Sequence, residues 1–164
     1  MRWGVFFLIS ASACWAGTGE EQRRAAEYYV AAYAEHYHVP VEFVRALVEQ
    51  ESGWQRCSMS SKGAAGLMQL MPGTAARLSV RDRCDINQNV SGGVRYLAWL
   101  MNRFHGDLRL VAAAYYVGEG TIQRRGLRYS NPDVVAYVAS VRERFTRQKQ
   151  FGGATVQRAP GRTR

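Results

Sequence analysis

Val41-Glu42-Phe43-Val44-Arg45-Ala46-Leu47-Val48-Glu49-Gln50-Glu51 is the stretch that decides how this chain folds. On a helix, Val41, Phe43, Val44, Leu47 and Val48 share one face, while Glu42, Arg45 and Glu49 fall on the other. Glu51 lands in the middle of the apolar face, one turn beyond Leu47 and Val48. A carboxyl turned toward a core is costly to ionise, because burial disfavours its charged form. Gly53 follows closely and marks a helix C-terminus, where partial negative charge again favours the protonated acid. Both effects raise the pKa of Glu51, as a general acid working near neutral pH requires. A partly exposed last-turn glutamate without chemical work is the plain alternative.

Outward from this helix, the pattern stays helical. Thr18-x-x-Glu21 reads as a capping box opening a helix with Ala25, Tyr29, Tyr33 and Tyr37 along one side. That helix stops before Pro40, which is expected in the first turn of the Glu51 helix. Ser and Gly crowd the stretch from Ser52 to Pro72, which predicts a long functional loop broken by one short helical turn. A short helix is expected from Gly73 to Leu78, and a longer one from Asn89 to Phe104, ended by Gly106. Asp107 caps the next, Leu108 to Val117, and a last helix runs from Pro132 to Arg147 with Val134, Val138, Val141 and Phe145 on one face. There is no internal repeat. The expected architecture is all-α.

The 164 residues allow one domain of ordinary size. Residues 1–16 read as a cleaved secretory signal: Arg2 is positive, Trp3 to Ala13 is apolar but too short for a membrane span, and Ala16 offers a cleavage site. Lipidation of Cys14 is the alternative. The catalytic domain is then expected over 17–146, and a mobile basic tail, with Arg147, Lys149, Arg158, Arg162 and Arg164, over 147–164. Loss of Cys14 leaves Cys57 and Cys84 as an even pair in an oxidising compartment, which predicts a disulfide. No metal site is expected, since the three histidines lack ligand spacing with these cysteines. The net charge of +9, almost wholly arginine, suits anionic partners. No nucleic-acid-binding motif accompanies it, and export argues against nucleic acid as the partner.

After Glu51-Ser52-Gly53-Trp54 come Ser60-Ser61-Lys62-Gly63-Ala64-Ala65-Gly66-Leu67-Met68-Gln69, then Ala113-Ala114-Tyr115-Tyr116-Val117-Gly118-Glu119-Gly120. In order and spacing these resemble the soluble lytic transglycosylase domain, a branch of the goose-type lysozyme-like fold. The resemblance runs from about Val39 to Phe145. It implies a single all-α lysozyme-like domain acting on peptidoglycan glycan strands, without cofactor, as a periplasmic monomer. Glu51 matches the catalytic acid. Ser60 matches the serine that bonds the acid or the substrate acetamido group, and Met68 and Gln69 match residues that line the sugar cleft, with a core position as the equal reading of Met68. Tyr115 matches the tyrosine whose hydroxyl steadies the carboxyl or the developing charge, and Tyr137 resembles a late tyrosine facing the same cleft, with packing as its other reading. The third motif departs from the pattern. Tyr116 replaces an amide, where its ring would stack on a sugar, and Glu119 replaces a proline, adding charge near the groove.

Two carboxylates usually flank a scissile glycosidic bond. Asp82 and Asp85 lie beside the cysteines, Asp107 and Asp133 look like helix caps, and no second catalytic acid stands out. One carboxyl suffices for the reaction the resemblance implies, a muramic C6 hydroxyl closing on C1 to give a 1,6-anhydro sugar. A hydrolytic muramidase and a non-catalytic wall-binding scaffold remain alternatives. Family members this compact imply local wall opening for a secretion or conjugation machine, whose components would be partners.

Overall fold

In the computed structural model the described residues are 19–128 and 130–156. They form α1 (Gly19–His36), α2 (Val41–Ser52), α3 (Pro72–Arg77), α4 (Ile86–Arg103), α5 (Leu108–Val117), α6 (Glu119–Arg125), a 3-10 turn (Gly126–Arg128) and α7 (Pro132–Val156). Among the described residues there is no strand, only the isolated bridges Met59–Ala65 and Ala65–Leu70. The fold is all-α, as the periodicity predicts. The signal segment, Cys14 and Thr18 of the capping box lie outside the described residues.

The apolar face of α2 becomes the centre of the molecule. Phe43, Val44, Ala46, Leu47 and Val48 are buried, and Val41 packs half-buried at the edge. Pro40 sits one position earlier than expected, as the N-cap, with its carbonyl taking Phe43 N and Val44 N at 3.0 and 3.1 Å. Gly53 ends the helix in the left-handed region at φ 57°, where its N–H reaches the Glu49 carbonyl. Helix α7 packs along α2, and Phe145 meets the Phe43 ring edge-on at 5.9 Å. Helix α1 packs on α4 through Ala26, Val30 and Ala34, one residue beside the tyrosine line. Tyr29, Tyr33 and Tyr37 stack in series at the half-buried margin.

Two expectations need correction, and one helix is added. The segment between α2 and α3 holds bridges and hydrogen-bonded turns in place of a helical turn. Ala65 and Leu70 exchange backbone bonds at 3.1 and 3.0 Å, and Gly66 N reaches Ser58 O at 2.9 Å. After Gly118 the chain forms α6, a helix that the periodicity did not bring out. The last helix does not stop at Arg147 but runs to Val156, and Arg147 is tied down by Glu49 at 2.7 Å. No proline interrupts this run, and the double glycine Gly152-Gly153 alone does not end it. Residues 157–164 lie outside the described residues.

Candidate active site

The segment between α2 and α3 is a wall held from below. Cys57 and Cys84 form the expected disulfide, with Cα atoms 4.7 Å apart across 27 positions. Closing a loop of that length is worth roughly 3–4 kcal/mol in the chain-entropy model. Arg83 Nη1 donates to the carbonyls of Gly63 and Leu70 at 2.6 and 3.0 Å. Asn89, fully buried on α4, accepts from Met68 N at 2.8 Å and donates to the Ala65 and Arg83 carbonyls at 3.1 and 2.9 Å. A Cβ at Gly66 (φ +84°) would collide with the Asn89 amide and the Arg83 carbonyl, so only glycine fits there. Asn89 is a structural residue the sequence reading missed. Its signal was an amide on the otherwise apolar stripe of Val90, Gly93, Val94 and Leu97.

Above this wall a pocket of about 430 Å³ opens, and Glu51 stands in it together with Ser60, Gln69, Tyr115 and Tyr116. Glu51 is half-buried. Burial pushes its carboxyl up from 4.5 to about 7, against the Tyr137 hydrogen bond, which lowers it. Tyr137, buried on α7, donates its hydroxyl to Glu51 Oε1. Its own proton is held firmly, by burial first and then by the Glu51 charge. The two readings of Tyr137, packing or cleft, are thus one: its ring packs while its hydroxyl reaches the acid.

Tyr115, expected to steady the carboxyl, lines the pocket but donates its hydroxyl to the Met68 carbonyl at 2.7 Å. Burial is the main reason its pKa is raised, followed by the charge of Glu51. Of the two readings of Met68, cleft or core, the structure shows the core: it is fully buried with its sulfur against Gly93, where a Cβ would strike it. It serves the site through its backbone instead. Gln69 lines the pocket at φ 45° and braces the wall, its Nε2 donating to Ser58 O and Gly66 O at 2.8 and 2.9 Å. Ser60 Oγ accepts from Ala64 N at 3.0 Å and borders the same pocket.

Tyr116 is exposed, and one face of its ring stacks on Tyr137 at 4.6 Å and 21°. The residue that replaces an amide therefore buttresses the tyrosine that holds the acid. Asp133, expected as a cap, lines the pocket, because Asn131 Oδ1 accepts from Asp133 N at 2.9 Å and takes the capping role. Glu119, expected to charge the groove, is taken up by Tyr96 at 3.0 Å and Arg77 at 3.7 Å. Among the described residues no cluster of His, Cys, Asp and Glu could hold a metal ion.

The family model described as the transglycosylase SLT domain matches residues 28–136. The chain belongs to this family. Membrane-bound lytic murein transglycosylase F of Pseudomonas fluorescens (strain Pf0-1) is 32% identical over 142 residues, covering 79% of this chain and 28% of its own length. The soluble lytic murein transglycosylase of Escherichia coli K12 is 31% identical over 120 residues, 66% of this chain and 19% of that protein. The chain thus spans between about a fifth and a third of the length of the curated relatives it matches. The fold is that of lytic transglycosylase Slt of Pseudomonas aeruginosa, solved as an inactive mutant (TM-score 0.73, 23% identity, 87% of this chain and 26% of that one). A 70-kDa soluble lytic transglycosylase in complex with bulgecin A gives a TM-score of 0.70 at 25% identity, over 82% of this chain and 25% of that one. The SLT domain here therefore has the lysozyme-like all-α architecture, with Glu51 and the pocket walls inside the matched region except Tyr137, one residue beyond it.

Proposed function

We propose that the chain is a peptidoglycan lytic transglycosylase with Glu51 as its sole catalytic acid and base. The observation that carries this reading is a carboxyl that burial lifts to about 7, so that it can both give and take a proton near neutral pH, clamped by Tyr137 in a saccharide-sized pocket. Glu51 gives its proton to the oxygen linking N-acetylmuramic acid to N-acetylglucosamine, and the bond from that oxygen to muramic C1 breaks. The carboxylate then takes the proton from the muramic C6 hydroxyl as its oxygen closes on C1. The product is a 1,6-anhydro sugar, no water is consumed, and Glu51 ends protonated as it began. Tyr137 fixes the carboxyl, Ser60, Gln69 and Tyr115 shape the groove, and the free face of Tyr116 meets the sugar. On this proposal the enzyme acts at the wall layer, in the periplasm, as a monomer. Docking to a secretion or conjugation apparatus draws its support from the basic surface alone.

A second reading has one observation behind it. Asp133 borders the same pocket, and a hydrolase would use such an acid to activate water. Mass spectrometry of defined peptidoglycan digested by the purified protein separates the two. The proposal expects muramic ends one water lighter than reducing ends, and loss of that product in Glu51→Gln but not in Asp133→Asn. Reducing ends that vanish in Asp133→Asn overturn it.

A further inference from the structure

A second pocket, of about 260 Å³, lies next to the first in the framework of the fold. The two share three pieces of structure. Met71, at the start of α3, lines the Glu51 pocket, while Thr74 and Arg77 of that helix line the second. Val117 lines the first and Glu119, two residues on, the second. The Tyr115 ring of the first lies 5.6 Å from the Tyr96 ring of the second.

The second pocket has its own chemistry. Tyr96 and Trp99 present near-parallel rings, 13° apart with centroids at 5.9 Å, and Trp99 is 45% exposed, an unusual placement for a tryptophan. Arg77 and Arg95 flank them, both exposed. Arg95 donates to the Leu78 carbonyl, and Arg77 keeps only a loose 3.7 Å pair with Glu119, which already takes the Tyr96 hydroxyl. Flat aromatic faces carry negative charge that attracts the polarised C–H bonds of a pyranose face. Guanidinium forks recognise carboxylates. A ligand satisfying both halves has a sugar ring and a carboxylate a few bonds away.

We infer that this pocket is a distal binding site for the glycan strand, taking a muramoyl unit that carries its stem peptide. The sugar lies on Trp99 and the peptide carboxylate meets Arg77 and Arg95. The inference rests on the glycan reading of the Glu51 pocket and adds a second grip along the same strand.

Binding is measured in a Glu51→Gln parent, so that no ligand is consumed. Three ligands are compared: long strands with free stem-peptide carboxylates, the same strands with those carboxylates amidated, and a short peptide-free oligosaccharide. Trp99→Ala weakens both long ligands by roughly three- to tenfold, the loss of one aromatic contact. The double variant Arg77→Gln and Arg95→Gln weakens the strand with free carboxylates alone and flattens its salt dependence. Thermal melts confirm that these surface variants stay folded. The inference is overturned if Trp99→Ala leaves long-strand affinity unchanged, or if the short ligand weakens as much as the long ones. A parent that binds no glycan overturns the reading of the Glu51 pocket and this one with it, whereas a parent that binds but ignores Trp99 overturns only the second site.

Discussion

Glu51 and Glu119 each accept a hydrogen bond from a tyrosine hydroxyl, yet their carboxyls are driven in opposite directions. Burial lifts Glu51 to about 7, and the Tyr137 bond offsets only part of that. Glu119 is held below its ordinary range, first by a backbone N–H, then, against a smaller effect of burial, by Tyr96 and Arg77. The phenols are alike, so they do not make the difference. Helix polarity and company do. Glu51 is next to last in α2, where carbonyls face it, and α7, packed along α2, closes over it with Tyr137. Glu119 is the first residue of α6, where N–H groups are free, and it has a cation beside it. A glutamate–tyrosine pair is therefore no signature of catalysis. Desolvation without a counter-charge is.

The largest effect that tests this contrast comes from Glu51→Gln. Removing the only proton carrier lowers kcat by at least about a thousandfold. The same variant is more stable than the parent at high pH. A folded pKa of about 7 against 4.5 unfolded means that the unfolded chain releases this proton first as pH rises. The associated stability is whole below pH 4.5 and is lost as pH climbs through 7, a swing of at most about 3 kcal/mol. Unfolding by denaturant at pH 4 and pH 8 checks it: Glu51→Gln matches the parent at pH 4 and exceeds it at pH 8. A difference that ignores pH means the carboxyl is not held dry.

Next in size is Tyr137→Phe. The Tyr137 hydroxyl is what lowers the Glu51 pKa, so its loss lets burial act unopposed. The falling limb of kcat/KM against pH, centred near 7 in the parent, moves to higher pH. The rate at the plateau drops about tenfold to a hundredfold, because the acid is no longer fixed. A tyrosine that only packs would leave the limb where it is.

How far all this was legible in the sequence depended on the range of the interaction involved. Periodicity exposed α2, α5 and the start of α7, because each buries a stripe set by its own residues. The position of Glu51 on such a stripe was readable for the same reason. Which tyrosine reaches it was not, since that depends on how α7 crosses α2, a packing between segments 86 residues apart. Tyr115 and Tyr137 accordingly exchanged expected parts. Met68 turned inward because Gly93, on α4, leaves a place for its sulfur. The Gly118-Glu119-Gly120 run hid the α6 start, where a glutamate at the first helical position is favoured by the helix dipole. The role of Tyr116 needs the three-dimensional stack on Tyr137 and has no sequence signal.

The smallest effect is the sharpest check on the contrast. Glu119→Gln removes a carboxylate that is partly exposed and loosely paired, so stability falls by about 1 kcal/mol or less near neutral pH. The sign is opposite to that at Glu51. A folded pKa held below 4.5 stabilises the protein above that value and ceases to do so as pH falls, so the deficit of the variant shrinks on acidification and in high salt. The falling limb of activity is the informative readout. The Tyr96 ring, bonded to Glu119, lies 5.6 Å from the Tyr115 ring of the Glu51 pocket, and the Tyr115 hydroxyl is occupied by the Met68 carbonyl rather than by Glu51. That detour interrupts any hydrogen-bonded path, so the limb stays near pH 7 in Glu119→Gln. A limb that moves with Glu119 would mean the two carboxyls titrate as one system, and the separation of a dry acid from a solvated one would fail.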